Sequence, residues 1–205
     1  MFITLEGPEG SGKSMQICEL ADFIRQQGKQ VLTTREPGGT FIGDQIREVI
    51  MRMDNTMMNP RAEILLFCAA RAQIVEEVIR PALEQGMVVI SDRYADSTLA
   101  YQGYGHGLDL AILREILRFA TGGLQPDLTL LLDVDVEEGL NRRRIGGGEW
   151  NRLDAQQLAF HQRVREGYLK MAAEEPVRWR VVNARQKPQQ VQTDLRAIVT
   201  DYFKK

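Results

Sequence analysis

Excess charge of one sign, cysteine, histidine and long apolar runs are all scarce in this 205-residue sequence. Lys and Arg total 26 against 28 Asp and Glu, a formal net charge of -2. No global positive field therefore exists to hold a nucleic-acid backbone, and any anion must be bound by a local cluster. The two cysteines, Cys18 and Cys68, lie in apolar helical patterns without metal-ligand spacing, and His106 and His161 do not complete a usual zinc set with them. Buried, reduced thiols are expected. The most apolar stretch, 62–79, is interrupted by Glu63, Arg71, Glu76 and Glu77, so no membrane span is available. The N-terminus has no basic segment leading into an apolar one, and a cytoplasmic protein is expected.

What is present fits an ordinary globular chain. A hydrophobic content of 43%, with 18 Gly and 7 Pro, excludes collagen-like, disordered and coiled-coil classes, and the length suits a single domain over 1–205. Apolar runs with β-branched members at 1–5, 30–34, 87–90, 128–134 and 178–182 read as five strands. Helical patterns cover 12–27, 41–53, 61–85 with a break at Pro81, and 188–203. Near-continuous apolar strands separated by helices indicate an α/β fold, a parallel sheet with helices on both faces. Two stretches, 102–107 (QGYGHG) and 142–152 (RRRIGGGEWNR), read as mobile connections, the second too polar for a core.

Gly7-Pro8-Glu9-Gly10-Ser11-Gly12-Lys13-Ser14 has the phosphate-loop spacing, Gly, four residues, then Gly-Lys-Ser, and sits between a strand and a helix as the mechanism requires. Glycines let successive N–H groups turn inward, the helix N-terminus adds positive dipole, Lys13 reaches the β- and γ-phosphates, and the Ser14 hydroxyl can ligate Mg²⁺. A metal-side carboxylate should end another apolar strand. Asp92 and Asp133 both qualify, and Asp92 is preferred because Arg93 beside it offers a phosphate contact. Guanine-reading Asn-Lys-x-Asp, switch Asp-x-x-Gly and Leu-Ser-Gly-Gly sequences are missing, which leaves a small-molecule kinase.

Phe67 and Arg71 stand four apart on one helix, so a pyrimidine could stack on the ring while the guanidinium donates to its carbonyl oxygens. Arg93, Ser97 and Tyr101 recur at the same spacing along a helix that starts beside Asp92. Glu9 lies inside the phosphate loop, where a carboxylate repels phosphates, so its role falls on the acceptor side.

These features, with Thr-Arg-Glu-Pro-Gly-Gly-Thr at 34–40, Phe-Cys-Ala-Ala-Arg at 67–71, Asp-Arg-Tyr at 92–94, Ser-Thr-Leu-Ala-Tyr-Gln-Gly at 97–103 and Pro-Asp-Leu-Thr-Leu-Leu-Leu-Asp at 126–133, resemble the thymidylate kinase family over essentially the whole chain. The resemblance implies a P-loop kinase fold with an Arg-rich lid at about 142–152, transfer of the ATP γ-phosphoryl group to dTMP, Mg²⁺ as cofactor, and a homodimer. It implies ATP binding by 7–14 and metal binding by Ser14 and Asp92. It assigns dTMP to Glu36, Pro37, Arg47, Phe67, Arg71, Arg93, Ser97, Tyr101 and Gln102, with Arg47 and Arg93 at the phosphate and Tyr101 crowding the sugar 2′ position. Catalytic roles are implied for Lys13, Glu9, Arg93, Arg142, Arg144 and Arg152. The loop interior carries no base, so the sequence is similar to the bacterial type with a lid-borne arginine; Gly146, Gly147 and Gly148 leave the choice among those arginines open. Two other functions stay in view: a deoxynucleoside kinase using Glu36 as base, and a nucleotide-binding regulatory module without turnover.

Overall fold

The computed structural model describes residues 1–146 and 150–204. Its strands are β1 (Phe2–Glu6), β2 (Val31–Arg35), β3 (Val88–Asp92), β4 (Leu128–Asp133) and β5 (Trp179–Asn183). All pair in parallel, in the order β2-β3-β1-β4-β5, with Leu5 opposite Asp92. The chain leaves β1 toward β2, returns to β3, then crosses to β4, so its direction of travel switches at the β1–β3 boundary. Open α/β sheets hold their ligands outside the C-terminal strand ends at such a point.

The helices are α1 (Lys13–Gln26), α2 (Phe41–Met51), α3 (Pro60–Ile74), α4 (Arg80–Glu84), α5 (Ala95–Thr98), α6 (Leu110–Ala120), α7 (Val136–Ile145), α8 (Leu158–Glu174) and α9 (Pro188–Phe203). Period-two alternation divides each strand between two faces. Ile3 and Leu5 join Ile90, Leu130 and Leu132 against Leu20 and Ile24 of α1 and Leu195 and Val199 of α9. Phe2 faces the other way and packs with Ile74, Ile79 and Tyr94, while Leu131 meets Phe160, Tyr168 and Trp179. Thr4 and Glu6 follow Phe2 in the alternation, and both are completely buried. The strand thus carries a carboxylate into the interior.

Several expectations need correction. The helix expected over 61–85 does not break at Pro81. It widens into π-helical turns over Val75–Ile79, and Pro81 falls in the first turn of α4, where a missing N–H is best tolerated. The glycine-rich stretch 102–107 is not a mobile connection: Leu99–Gly105 is π-helical and mostly buried. Its glycines mark close packing, since a Cβ on Gly103 would lie 2.4 Å from Leu110 and one on Gly105 2.6 Å from Phe160. Helices α6, α7 and α8 lie outside the helical patterns expected, although α6 carries a buried stripe of Leu113, Leu117 and Ala120. Cys68 is buried but Cys18 is exposed, because α1 buries Ile17, Leu20, Ala21 and Ile24 and position 18 falls off that stripe. Of the expected lid, Gly147, Gly148 and Glu149 lie outside the described residues.

A methyl group at Gly105 must displace the Phe160 ring, so Gly105→Ala should lower unfolding free energy by about 1–3 kcal/mol in urea titration. Amide hydrogen exchange over 99–105 should be slowed to the rates of neighbouring helices. Exchange as fast as an open loop would contradict the packed segment.

Candidate active site

Side chains from the C-terminal ends of β1, β2 and β3 converge on a cavity of about 730 Å³. The phosphate loop forms one wall. Gly10 has φ +67°, and its Cβ would lie 1.9 Å from the Gly139 carbonyl oxygen. The loop therefore rests directly on the backbone of α7, three residues before Arg142. Lys13 is buried and donates to the Gly7 carbonyl at 2.9 Å, the Pro8 carbonyl at 3.0 Å and Ser11 Oγ at 3.1 Å. Burial, aided by Arg93, lowers its pKa to about 8 against the pull of Asp92, Glu9 and Glu6. An anion in the loop would reverse that shift, so the site gains most from a ligand with dense negative charge.

Ser14 Oγ donates to Asp92 Oδ2 at 2.9 Å. Asp133, the other candidate, is held in a bidentate pair by Arg165 at 2.7 and 2.9 Å. Of the two, Asp92 is the one beside Ser14 in the cavity lining. Two hard oxygen donors side by side suit Mg²⁺, which takes one or two protein ligands and completes its octahedron with phosphate oxygens and water.

Another part of the cavity lining carries an aromatic ring and a buried arginine. Phe67 lines it, and Arg71 beside it is only 1% exposed. Arg71 donates from Nε to Glu36 Oε2 at 2.7 Å, and from its two terminal nitrogens to Thr98 Oγ1 and the Tyr94 carbonyl, each at 3.0 Å. Burial pushes the Glu36 carboxyl up against the opposing pull of Arg71. Gln102 Nε2 donates to Glu63 Oε1 at 2.7 Å. Arg47, bonded to the Pro37 carbonyl at 3.0 Å, and Arg93 line the same cavity. Burial and the nearby cations of Arg35 and Arg93 lower the Arg47 pKa despite Asp44 and Asp92. Cations crowded in this way favour an anion between them.

Glu9, Tyr101 and Arg93 form one unit. The Tyr101 hydroxyl donates to Glu9 in a very short hydrogen bond and accepts from Arg93 at 2.8 Å, and Arg93 donates to Glu9 at 3.4 Å. His161 Nδ1 stands 3.3 Å from Glu9 Oε2, out of hydrogen-bond alignment. Burial alone would raise the Glu9 pKa. His161, Arg93 and Tyr101 together outweigh it and hold the carboxyl at about 2.

The expected lid arginines part company. Arg142 lines the cavity and donates to the Ala184 carbonyl at 2.8 Å. Arg144 is exposed and lies against the Trp150 ring, outside the cavity lining. Arg152 is buried beneath the wall, donating to the Ile50 carbonyl at 3.2 Å and pairing very closely with Glu63. Among the described residues of 142–152 only Arg152 is buried; Arg144, Ile145 and Gly146 are exposed, as the polarity of the stretch leads one to expect. Arg143 was absent from the expected set yet lines the cavity, paired with Asp154 at 3.1 Å. Sequence reading also missed Glu6, Glu63 and Tyr168. Only Glu6 carried a local signal, a charge closing an apolar strand.

The pH dependence of stability tests the Glu9 cluster. A folded pKa below the unfolded value contributes stability that is present above about pH 4.5 and lost as pH falls toward 2. Glu9→Gln should therefore lower the melting temperature by a constant amount from pH 8 to 5, on the order of 5–10 °C. The gap should narrow below pH 4.5. A gap that widens on acidification would contradict the assigned sign.

A family model described as thymidylate kinase matches residues 5–195. The thymidylate kinase of Roseiflexus sp. (strain RS-1) is 53% identical over 214 residues, covering 99% of this chain and 95% of that protein. That of Thermomicrobium roseum is 53% identical over 204 residues, covering 100% and 96%. The crystal structure of thymidylate kinase from Ehrlichia chaffeensis matches with a TM-score of 0.78 at 31% identity, over 97% of this chain and 98% of that one. A phosphate loop on an arginine-lined cavity, in a sheet and a sequence shared with these proteins over nearly their whole lengths, leads to one assignment: the chain belongs to the thymidylate kinase family.

Proposed function

We propose that the protein transfers the γ-phosphoryl group of ATP to the phosphate of dTMP, giving ADP and dTDP. The observation that supports this reading is that Arg93 and Arg47 line the same cavity as the phosphate loop, Phe67 and Arg71, with Arg93 reaching Glu9 of the loop and its neighbour Tyr94 holding Arg71; an acceptor phosphate bound by them would meet the donor. ATP lies along 7–14, and dTMP lies with its base on Phe67 and Arg71 beside Gln102, its sugar by Tyr101, and its phosphate at Arg93 and Arg47. Ser97 holds Arg93, and Glu36 with Pro37 supports the base end. Ser14 and Asp92 hold Mg²⁺ in this reading, and the ion supplies charge neutralisation across the donor phosphates.

A phosphate monoester has its second pKa near 6, so the acceptor is already a nucleophile near neutral pH. The protein has to align two anions and offset their repulsion, which Lys13 and Arg93 do at short range. In this reading Arg142 and Arg143, the lid arginines that line the cavity, add charge at the transferred group. A nucleoside kinase would instead need a base, and Glu36 is tied to Arg71 at the base end.

The reading includes a homodimer. Exposed apolar residues Phe41 and Val49 of α2, Leu65 of α3, and Ile112 and Phe119 of α6 suit a buried face between two copies, and α3 packs against both other helices. A cytoplasmic location suits the two free thiols. Among the described residues no helix is long and apolar enough to cross a membrane.

With ATP and Mg²⁺, coupled ADP release should proceed on dTMP and be at least ~100-fold slower on thymidine, which leaves Arg93 without its anion. Lys13→Ala and Asp92→Asn should each reduce kcat by roughly 10²–10³-fold while leaving thermal melting nearly unchanged. Equal turnover on thymidine would favour the nucleoside kinase. No turnover on either would favour a binding module.

A further inference from the structure

Glu6 is completely buried, and no cation makes a direct ion pair with it among the described residues. Burial, with Asp96 nearby, pushes its pKa up to about 7 against the pull of Arg93 and the Ser97 and Tyr168 hydrogen bonds, so above that pH a charge is held here by its hydrogen-bond donors. Its partners are all neutral donors. Oε1 accepts from the Tyr94 N–H at 2.8 Å, and Oε2 accepts from the Ser97 hydroxyl at 2.6 Å and the Tyr168 hydroxyl at 2.8 Å. The two hydroxyl oxygens lie 2.8 Å apart, and with Glu6 ionised each gives its one hydrogen to the carboxylate. Their lone pairs are left to accept, and each receives one N–H from the same terminal nitrogen of Arg93, at 3.2 Å from Ser97 and 3.0 Å from Tyr168.

The backbone is held by the same group. Arg93 has φ +70°, the one described non-glycine residue in the left-handed region. The turn is pinned by the Arg93 N–H on the Leu5 carbonyl and by the Tyr94 N–H on Glu6. One side chain at the end of β1 therefore fixes both the backbone turn and the guanidinium of Arg93. We propose that Glu6 is a positioning residue for acceptor-phosphate binding, acting on Arg93 through the Ser97 and Tyr168 hydroxyls and the Tyr94 amide.

The contrast with Arg71 gives the reason for the indirect design. Arg71 faces the neutral base end in the reading above and is paired directly with Glu36 at 2.7 Å. Arg93 faces the anion. Glu9 touches it directly at 3.4 Å, and the interposed hydroxyls hold its other terminal nitrogen without a second carboxylate in contact. Four of its five N–H groups are already engaged, two through these hydroxyls and two toward Tyr101 and Glu9. The group is set before the ligand arrives, and less ordering cost falls on binding.

This inference rests on Arg93 as the acceptor-phosphate contact, and the test separates the two. Calorimetric affinities for dTMP and thymidine would be measured on wild type, Arg93→Ala, Glu6→Gln and Tyr168→Phe, each checked for folding by circular dichroism. The ratio of the two affinities isolates the phosphate. In Glu6→Gln it should fall at least ~10-fold, with thymidine affinity unchanged. Tyr168→Phe removes one arm and should lower the ratio by a smaller factor; it carries the test alone if Glu6→Gln does not fold. A wild-type ratio in these variants, with the ratio lost in Arg93→Ala, would overturn the role of Glu6 and spare that of Arg93. An unchanged ratio in Arg93→Ala would overturn both. Equal losses for dTMP and thymidine in Glu6→Gln would reduce it to a structural residue.

Discussion

The parallel pairing of β1 with β3, with Leu5 opposite Asp92, sets the distances on which the site depends. Two chain segments must end together: the one that opens the phosphate loop and the one that delivers Asp92, Arg93 and Tyr94. Because the chain travels outward from β1 and inward from β3 on opposite sides, both segments open above one crevice. Ser14 then meets Asp92 from the next helix, and Glu6 meets Tyr94 from the neighbouring turn. A slip of one residue would reverse which face each side chain points to, sending Glu6 into the apolar layer under α1. Register, here, is a condition of chemistry as well as of packing.

Buried charge is the second theme. Glu9, Glu36 and Glu63 each touch an arginine, respectively Arg93, Arg71 and Arg152, and Glu6 reaches Arg93 through hydroxyls. Well-packed apolar residues often give equal or greater stability than such pairs, whereas breaking one is strongly destabilising. Stability alone is therefore a weak reason for placing three such pairs, and Glu6 besides, at or behind one cavity. Orientation is a stronger one, since an arginine whose donors are already bonded presents a fixed face to its ligand. Lys13 follows the same pattern, with its ammonium held by the loop that is to receive the phosphates.

Much of this was legible in the sequence where the signal is local. Apolar runs between Gly and Pro gave the five strands, and the spacing from Gly7 to Ser14 gave the loop with its lysine and serine. Spacing of four gave Phe67 beside Arg71 on one helix and Arg93 beside Ser97 in space. Signals failed where packing overrides composition. The glycines of 102–107 read as freedom, yet Gly103 and Gly105 lack side chains because Leu110 and Phe160 occupy that space. Arginine content read as exposure, yet Arg152 lies inside because Glu63 waits there. Helix α7 has no apolar stripe to announce it, only Val136 and Gly139 buried against the rest. Tyr168 stands 162 residues from Glu6, and no local pattern joins them.

The central claim is that two phosphates meet between the loop lysine and Arg93. The most direct test is a crystal structure of the protein with dTMP, Mg²⁺ and a non-hydrolysable ATP analogue. The account predicts an acceptor phosphate oxygen about 3 Å from an Arg93 nitrogen, the thymine ring stacked on Phe67, and the γ-phosphate of the analogue within reach of Lys13. A dTMP phosphate seated away from Arg93, or a nucleoside bound in the reverse sense with its base beside the loop, would contradict it.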